Sequence, residues 1–263
     1  MQTSCPMRMP DNQDYDVAYG TWNVDGRPTP VASTYRVAWR LMAATTGFRT
    51  FYPAIIPPGA KHVNGVHSAG PIENIDHVFA SAVASSLLDD FYVRAAGIAN
   101  LYGEVFASLP MPAKSEVYYD VARTYLKLNC LTVEYAELWE RITGTEWTPD
   151  TPILNALQRQ KAQVRIDVSV AKMLHISEEE LRMIYRTQFP VMRKYDLVDK
   201  FDKNGRLVPK EVLKLIENEG TEQESRTWAH PQSGREYNFQ PPFESFDREA
   251  EIGKVYAELL DKI

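Results

Sequence analysis

The chain has 263 residues, 44% of them hydrophobic and 24% charged, with a net charge of −6. It is long enough for one large domain or two small ones, and the acidic balance argues against a histone-like nucleic-acid binder. The apolar run of about eighteen residues that a membrane helix needs is missing, the N-terminal stretch has no apolar core to make a signal peptide, and Cys5 and Cys130 are too few for a disulfide framework or a four-thiolate zinc site. These features lead us to expect a reducing, cytoplasmic compartment and no membrane partner.

Residues 1–34 are rich in Pro, Asp, Asn and Gly and read as an irregular leader, with one short strand at 17–19 or 21–24. Residues 35–41 alternate large side chains and predict a strand; 43–47 predict a turn; 49–56 predict a second strand, ended by Pro57-Pro58-Gly59. The pair makes a hairpin, and a period of two puts Arg36 and Arg40 on one face. Ile75, Val78, Phe79, Ala82 and Val83 are spaced as on one side of a helix over 74–90. Residues 91–94 read as a short strand, and Leu109-Pro110-Met111-Pro112 as a boundary.

The second half is mostly helical. Helices are expected at 116–128 and at 132–142, the latter with Thr132 as N-cap and Gly144 just past its end. Pro152 suits the first turn of a long helix to Leu174. Ser177 with Glu180 forms a capping box that opens a helix to Thr187. Asn204-Gly205 reads as a hairpin turn, followed by a helix at 211–218, strand-like residues 228–239 and a terminal helix at 248–263. The fold class is α+β: a leader (1–34), a small β-rich subdomain (35–113), and a mainly α-helical part (114–263) with a late β-hairpin.

Charge is distributed unevenly. Between Asp25 and Glu73 there is no carboxylate, while Arg27, Arg36, Arg40, Arg49, Lys61, His62 and His67 all fall there. A purely basic segment in an acidic chain is the footprint of a polyanion partner. Arg36, Arg40 and Arg49 are candidates for phosphate contact, or for a bidentate fork on a guanine edge. The competing reading is solvated arginines, or arginines paired with acids of the helical half. The Gly-containing loop 61–67 adds Lys61, suited to phosphate or guanine, and Asn64, suited to adenine. His62 and His67 have no third ligand nearby, so a metal site is not expected. Tyr135 and Trp139, one helical turn apart, read as core.

Catalytic signals are lacking. Residues 200–211 mimic a calcium loop through Asp202, Asn204, Gly205 and Glu211, but Lys200 stands where the first carboxylate belongs. No lysine follows an acid by two positions, as the commonest nuclease chemistry requires, and there is no GxSxG or Walker loop.

Arg40, Arg49-Thr50 and the run Ala54-Ile55-Ile56-Pro57-Pro58-Gly59 resemble the target-recognition region of type II (type IIG-like) restriction-modification DNA adenine methyltransferases and related phage-resistance methylases. Residues 87–94, 128–139 and 184–189, then Asn204 to Pro209, His230-Pro231 and Phe246 to Glu249, follow in the family's order, so the resemblance spans about 35–263. It implies recognition of a DNA target for adenine-N6 methylation, with 35–113 as the recognition subdomain. The DNA-binding set is then Arg36, Arg40, Arg49, Lys61, His62, Asn64, His67 and Arg94. The resemblance departs at the catalytic half. There is no GxG loop, and Gln240-Pro241-Pro242-Phe243 reads as a proline turn in the tail. It therefore implies no catalytic residue and no cofactor in this chain. S-adenosylmethionine would belong to a catalytic domain or subunit, a partner alongside double-stranded DNA. Two alternatives stay open: a protein-interaction module docking on a methyltransferase or defence complex, and an enzyme with its own activity.

Overall fold

The computed structural model describes residues 19–260. The expected strand at 17–19, Cys5, and the last three residues of the expected terminal helix lie partly or wholly outside them.

The chain opens with a hairpin, β1 (Thr21–Val24) and β2 (Arg27–Pro30), closed by Asp25 and Gly26 at φ 50° and 79°. Asp-Gly is the residue pair that a two-residue turn of this hand selects. A three-stranded antiparallel sheet follows: β3 (Arg36–Arg40) in the centre, β4 (Ala54–Ile56) and β5 (Val66–Ala69) at its sides. The expected strand at 49–56 is only its last three residues, because the backbone N–H groups of Thr50 and Phe51 turn away to a helix carboxylate. β5 has no counterpart among the expected strands, since Val66-His-Ser-Ala69 carries no clear alternation.

The expected helix at 74–90 is two, α1 (Ile75–Ala84) and α2 (Leu87–Ala95). Ser85 and Ser86 interrupt it. The Ser85 hydroxyl donates to the Ala82 carbonyl, and the Ser86 hydroxyl accepts from Asp89 N to cap α2. Residues 91–94, expected as a strand, lie inside α2, where Arg94 reaches Asp90 one turn back. After the short α3 (Gly103–Ala107) come α4 (Tyr118–Asn129), α5 (Ala136–Thr143), α6 (Ala156–Met173), α7 (Glu178–Gln188), α8 (Pro190–Val198) and α9 (Lys210–Glu219). The late hairpin is β6 (Arg226–Ala229) with β7 (Glu236–Phe239), and α10 (Arg248–Glu258) ends the described chain. α7 has the capping box of Ser177 and Glu180, and Gly144 closes α5 at φ 68°. Pro152 precedes α6, whose N-cap is Asn155. Asn204-Gly205 makes a turn between the bridged Phe201 and Leu207 rather than the named hairpin.

One apolar cluster runs from Tyr35 and Trp39 in β3 through Val78 and Phe79 of α1, Tyr125 of α4 and Ile166 of α6 to Ile252 of α10. Residues 35–113 hold three strands and three helices, and they close over the same core as residues 114–263. A smaller cluster of Val208, Val212, Ile216 and Phe239 joins α9 to the late hairpin.

α6 stops at His175, a non-glycine residue at φ 58°. His175 N and Ile176 N reach back to the Lys172 and Ala171 carbonyls at 2.9 and 2.8 Å, the closure that glycine makes without Cβ strain. His175→Gly is expected to stabilise the chain by about 1 kcal/mol, raising Tm by roughly 2–4 °C in a thermal melt.

Candidate nucleic-acid interface

Of the eight candidate DNA-contacting side chains, the structure turns three inward. Arg49 is 8% exposed; its Nε meets Asp90 Oδ2 at 2.9 Å and its Nη2 donates to the Ser86 carbonyl at 2.6 Å. Arg94 meets the other oxygen, Asp90 Oδ1, at 3.0 Å, donates to the carbonyls of Thr45, Gly47 and Gln188, and lies over the Phe189 ring at 4.3 Å. Asp90 also accepts from Thr50 N and Phe51 N. Arg49 and Arg94 are therefore ties between the 41–53 connection and α2, not groups presented to a duplex. A fork geometry that satisfies several carbonyls at once explains why arginine holds these places.

Arg36 is the third. It is fully buried, and its Nη1 donates to the carbonyls of Val31 and Thr34, both at 3.2 Å. Its Nη2 donates to the Ala60 carbonyl and to the Tyr19 hydroxyl. Its Nε has no hydrogen-bond partner.

Of the remaining candidates, Arg40, Lys61, His62 and Asn64 lie on or beside the outer face of the sheet. Register pairs Arg40 with Val66 and Ala38 with Ser68, and opposite residues share a face, so Arg36, Arg40, Val66 and Ser68 point one way. Arg40 is exposed at the strand end, beside the 61–65 turn, where Leu41 N donates to the Gly65 carbonyl at 2.9 Å. Over this face lies a shallow cleft of about 280 Å³, lined among others by Tyr19, Trp22, His62, Asn64 and Ser68. Lys61 and Asn64 are exposed beside it. His62 Nε2 meets Ser68 Oγ at 2.9 Å, His62 N donates to the Tyr19 hydroxyl at 3.0 Å, and the two rings meet edge to face. Burial, and next the Arg36 guanidinium, push the His62 imidazole below its ordinary value. His67 borders the cleft, but it sits opposite Trp39, and its ring meets the edge of Tyr102.

Tyr19, Trp22 and Ser68 complete the cleft, and charge reasoning alone does not find them. Two signals point to the aromatic pair: aromatic residues in a leader otherwise poor in them, and Asp25-Gly26, which folds Trp22 back over the sheet. Gly70 permits that approach, since a Cβ there would stand 3.0 Å from both Trp22 Cη2 and Arg36 Cβ. Gly70→Ala is expected to displace Trp22 and cost about 1–3 kcal/mol, the usual range for overpacking, read from a denaturant midpoint.

The calcium-like loop is occupied by its own arginine. Asp202 Oδ2 accepts from Arg206 Nε and Nη2 at 3.1 and 2.6 Å and from Gln240 N at 3.3 Å, and Oδ1 accepts from Asn204 N and Arg206 N. Burial raises the Asp202 carboxyl, but these hydrogen bonds outweigh it and hold it below the usual carboxylate range. Gln240, first residue of the Pro-Pro tetrapeptide, therefore braces this turn. Among the described residues no group of three or more His, Cys, Asp or Glu is placed to hold a metal, and no helix is long and apolar enough to cross a membrane. Compared with protein-family models, curated proteins and solved structures, the chain matches none.

Proposed function

We propose that this chain recognises a DNA target for an adenine-N6 methyltransferase whose catalytic half, with its S-adenosylmethionine, lies outside these residues. The observation that carries the reading is the acid-free stretch between Asp25 and Glu73, whose outer face gathers Arg40, Lys61, Asn64 and the His62–Ser68 pair around one cleft. The methyltransferase part of the reading rests on the sequence resemblance; the geometry bears on the polyanion. Phosphates would be held by Arg40 and Lys61, and Asn64 has the amide that matches an adenine edge. Arg36, Arg49 and Arg94 support this surface from within and leave the contact set.

The test is binding of the purified chain to random duplex DNA over a range of salt. An Arg40→Ala/Lys61→Ala double variant is expected to fold normally, bind more weakly, and lower the slope of log K against log salt by about two, one per phosphate released. Unchanged affinity and slope in the double variant would remove the reading. Salt-insensitive capture of a methyltransferase partner, with no DNA bound at low salt, would favour the docking alternative.

A further inference from the structure

Asparagine followed by glycine occurs twice in the chain, at Asn64-Gly65 and at Asn204-Gly205. Asparagine is chemically labile, and the pair carries a latent reaction. The backbone nitrogen of the glycine can attack the side-chain amide carbon of the asparagine, because glycine has no Cβ to hinder the approach. The reaction needs an exposed amide, a backbone N–H held by no acceptor, and a peptide unit that is able to turn. The structure supplies these to the first pair and withholds them from the second.

Asn204-Gly205 is locked. Gly205 is buried; its N–H donates to the Asp202 carbonyl at 2.8 Å, and its carbonyl accepts from Leu157 N at 3.0 Å. Asn204 N donates to Asp202 Oδ1 at 3.0 Å, and Asn204 O accepts from Asn155 Nδ2 at 2.6 Å. The Asn155 amide also fills the space beside the Gly205 Cα, 2.5 Å from where a Cβ would stand. The attacking nitrogen is tied, and the peptide cannot rotate without breaking several bonds at once. Asn64-Gly65 is open. Both residues are exposed. The turn is anchored on either side of the reacting atoms, by Val66 N on the Val63 carbonyl at 3.1 Å and by Leu41 N on the Gly65 carbonyl at 2.9 Å. Among the described residues no group accepts from Gly65 N or bonds the Asn64 amide. Beyond its chain neighbours, no atom lies within 4 Å of where a Gly65 Cβ would stand.

We propose that Asn64 is a modification site, at which the folded protein converts its own asparagine to aspartate or isoaspartate without an enzyme. The Gly65 nitrogen forms a bond to Asn64 Cγ, the Cγ–Nδ2 bond breaks, and ammonia leaves with the proton that the nitrogen gave up. Water then adds to either carbonyl of the resulting ring and opens it. The sum is an amide plus water giving a carboxylate and ammonium, with no change of oxidation state. The product is the first carboxylate between Asp25 and Glu73, set on the turn beside Arg40. In the isoaspartate form the main chain also runs one methylene longer where the turn enters β5. The site stands apart from the DNA reading; only its effect on a bound polyanion depends on it.

The experiment ages the purified full chain in mildly alkaline buffer, folded and in parallel in urea, and follows both asparagines by peptide mass mapping that separates aspartate from isoaspartate. Gly65→Ala is aged beside it, since the added methyl meets no atom but hinders the attack. In the folded chain Asn64 is expected to convert at least about tenfold faster than Asn204, the factor that one retained hydrogen bond contributes. In urea the two should convert at similar rates. Gly65→Ala should slow the loss at Asn64 and leave the melting temperature unchanged. Folded Asn64 converting no faster than folded Asn204, or reacting only in urea, overturns the site. The converted protein, separated by its extra charge, is then bound to duplex DNA beside the unconverted one. Weaker binding of the converted form agrees with the DNA reading. Equal affinity would leave the modification site in place and remove Asn64 from the contact set.

Discussion

Asp90→Ala is expected to cost about 3–5 kcal/mol, the range for breaking a buried ion pair by removing one partner. The carboxylate is fully buried, and two guanidinium groups, Arg49 and Arg94, close on its two oxygens at 2.9 and 3.0 Å. It also takes the N–H groups of Thr50 and Phe51. Removing it strands two cations that are 8% and 6% exposed, and unties the 41–53 connection from α2. Against a total stability of roughly 5–15 kcal/mol, that is enough to leave the chain close to unfolding at moderate temperature. Urea unfolding of the variant beside Arg40→Ala checks it. The exposed arginine should change stability by no more than about 0.5 kcal/mol. A loss as small as that in Asp90→Ala would mean the Arg49 and Arg94 ties contribute little.

Its neighbour in sequence behaves in the opposite sense. Asp89 is fully buried, neither carboxylate oxygen has a hydrogen-bond partner, and burial pushes its carboxyl up to about 8, with Arg49 only partly opposing. The folded chain therefore keeps a proton that the unfolded chain gives up near the ordinary value of 3.8. Stability from this group is present below pH 4 and is lost progressively as pH rises toward 8. Asp89→Asn removes that dependence. The variant should match the native chain near pH 4 and exceed it by on the order of 3 kcal/mol at pH 8, below the linkage ceiling of about 1.4 kcal/mol for each tenfold change in proton affinity. Denaturant midpoints from pH 4.5 to 8.5 measure it; a constant difference between the two proteins across that range would show that Asp89 is not held protonated.

The helical half is legible in the sequence because its signals are local. The Ser177–Glu180 capping box and the left-handed Gly144 involve residues a few positions apart, and both stand where the pattern puts them. The arginines are not legible in the same way. Arginine is usually exposed, and what buries Arg49 is a carboxylate 41 positions away. The same distant carboxylate decides two other elements. It draws the N–H groups of 50 and 51 out of a strand, and it pairs with Arg94 to keep Phe91-Tyr-Val-Arg94 helical despite its β-branched and aromatic content. Of the candidate interface, the 61–67 turn and Arg40 are readable from charge. The Tyr19 and Trp22 wall is hidden in a leader whose Asp25-Gly26 turn is the informative pair.

The shared core has a consequence for how such a protein can change. Neither residues 19–34 nor residues 56–68 contribute to the main apolar cluster, so substitutions on the rim of the cleft leave packing almost untouched, and exposed positions of that kind change stability little. Cutting at 109–112 would instead divide Trp39 and Phe79 from Tyr125 and Ile166 and open the interior on both sides. Substitutions can accumulate by drift along a few turns, while recombination that exchanges the first half as a block is penalised from the start.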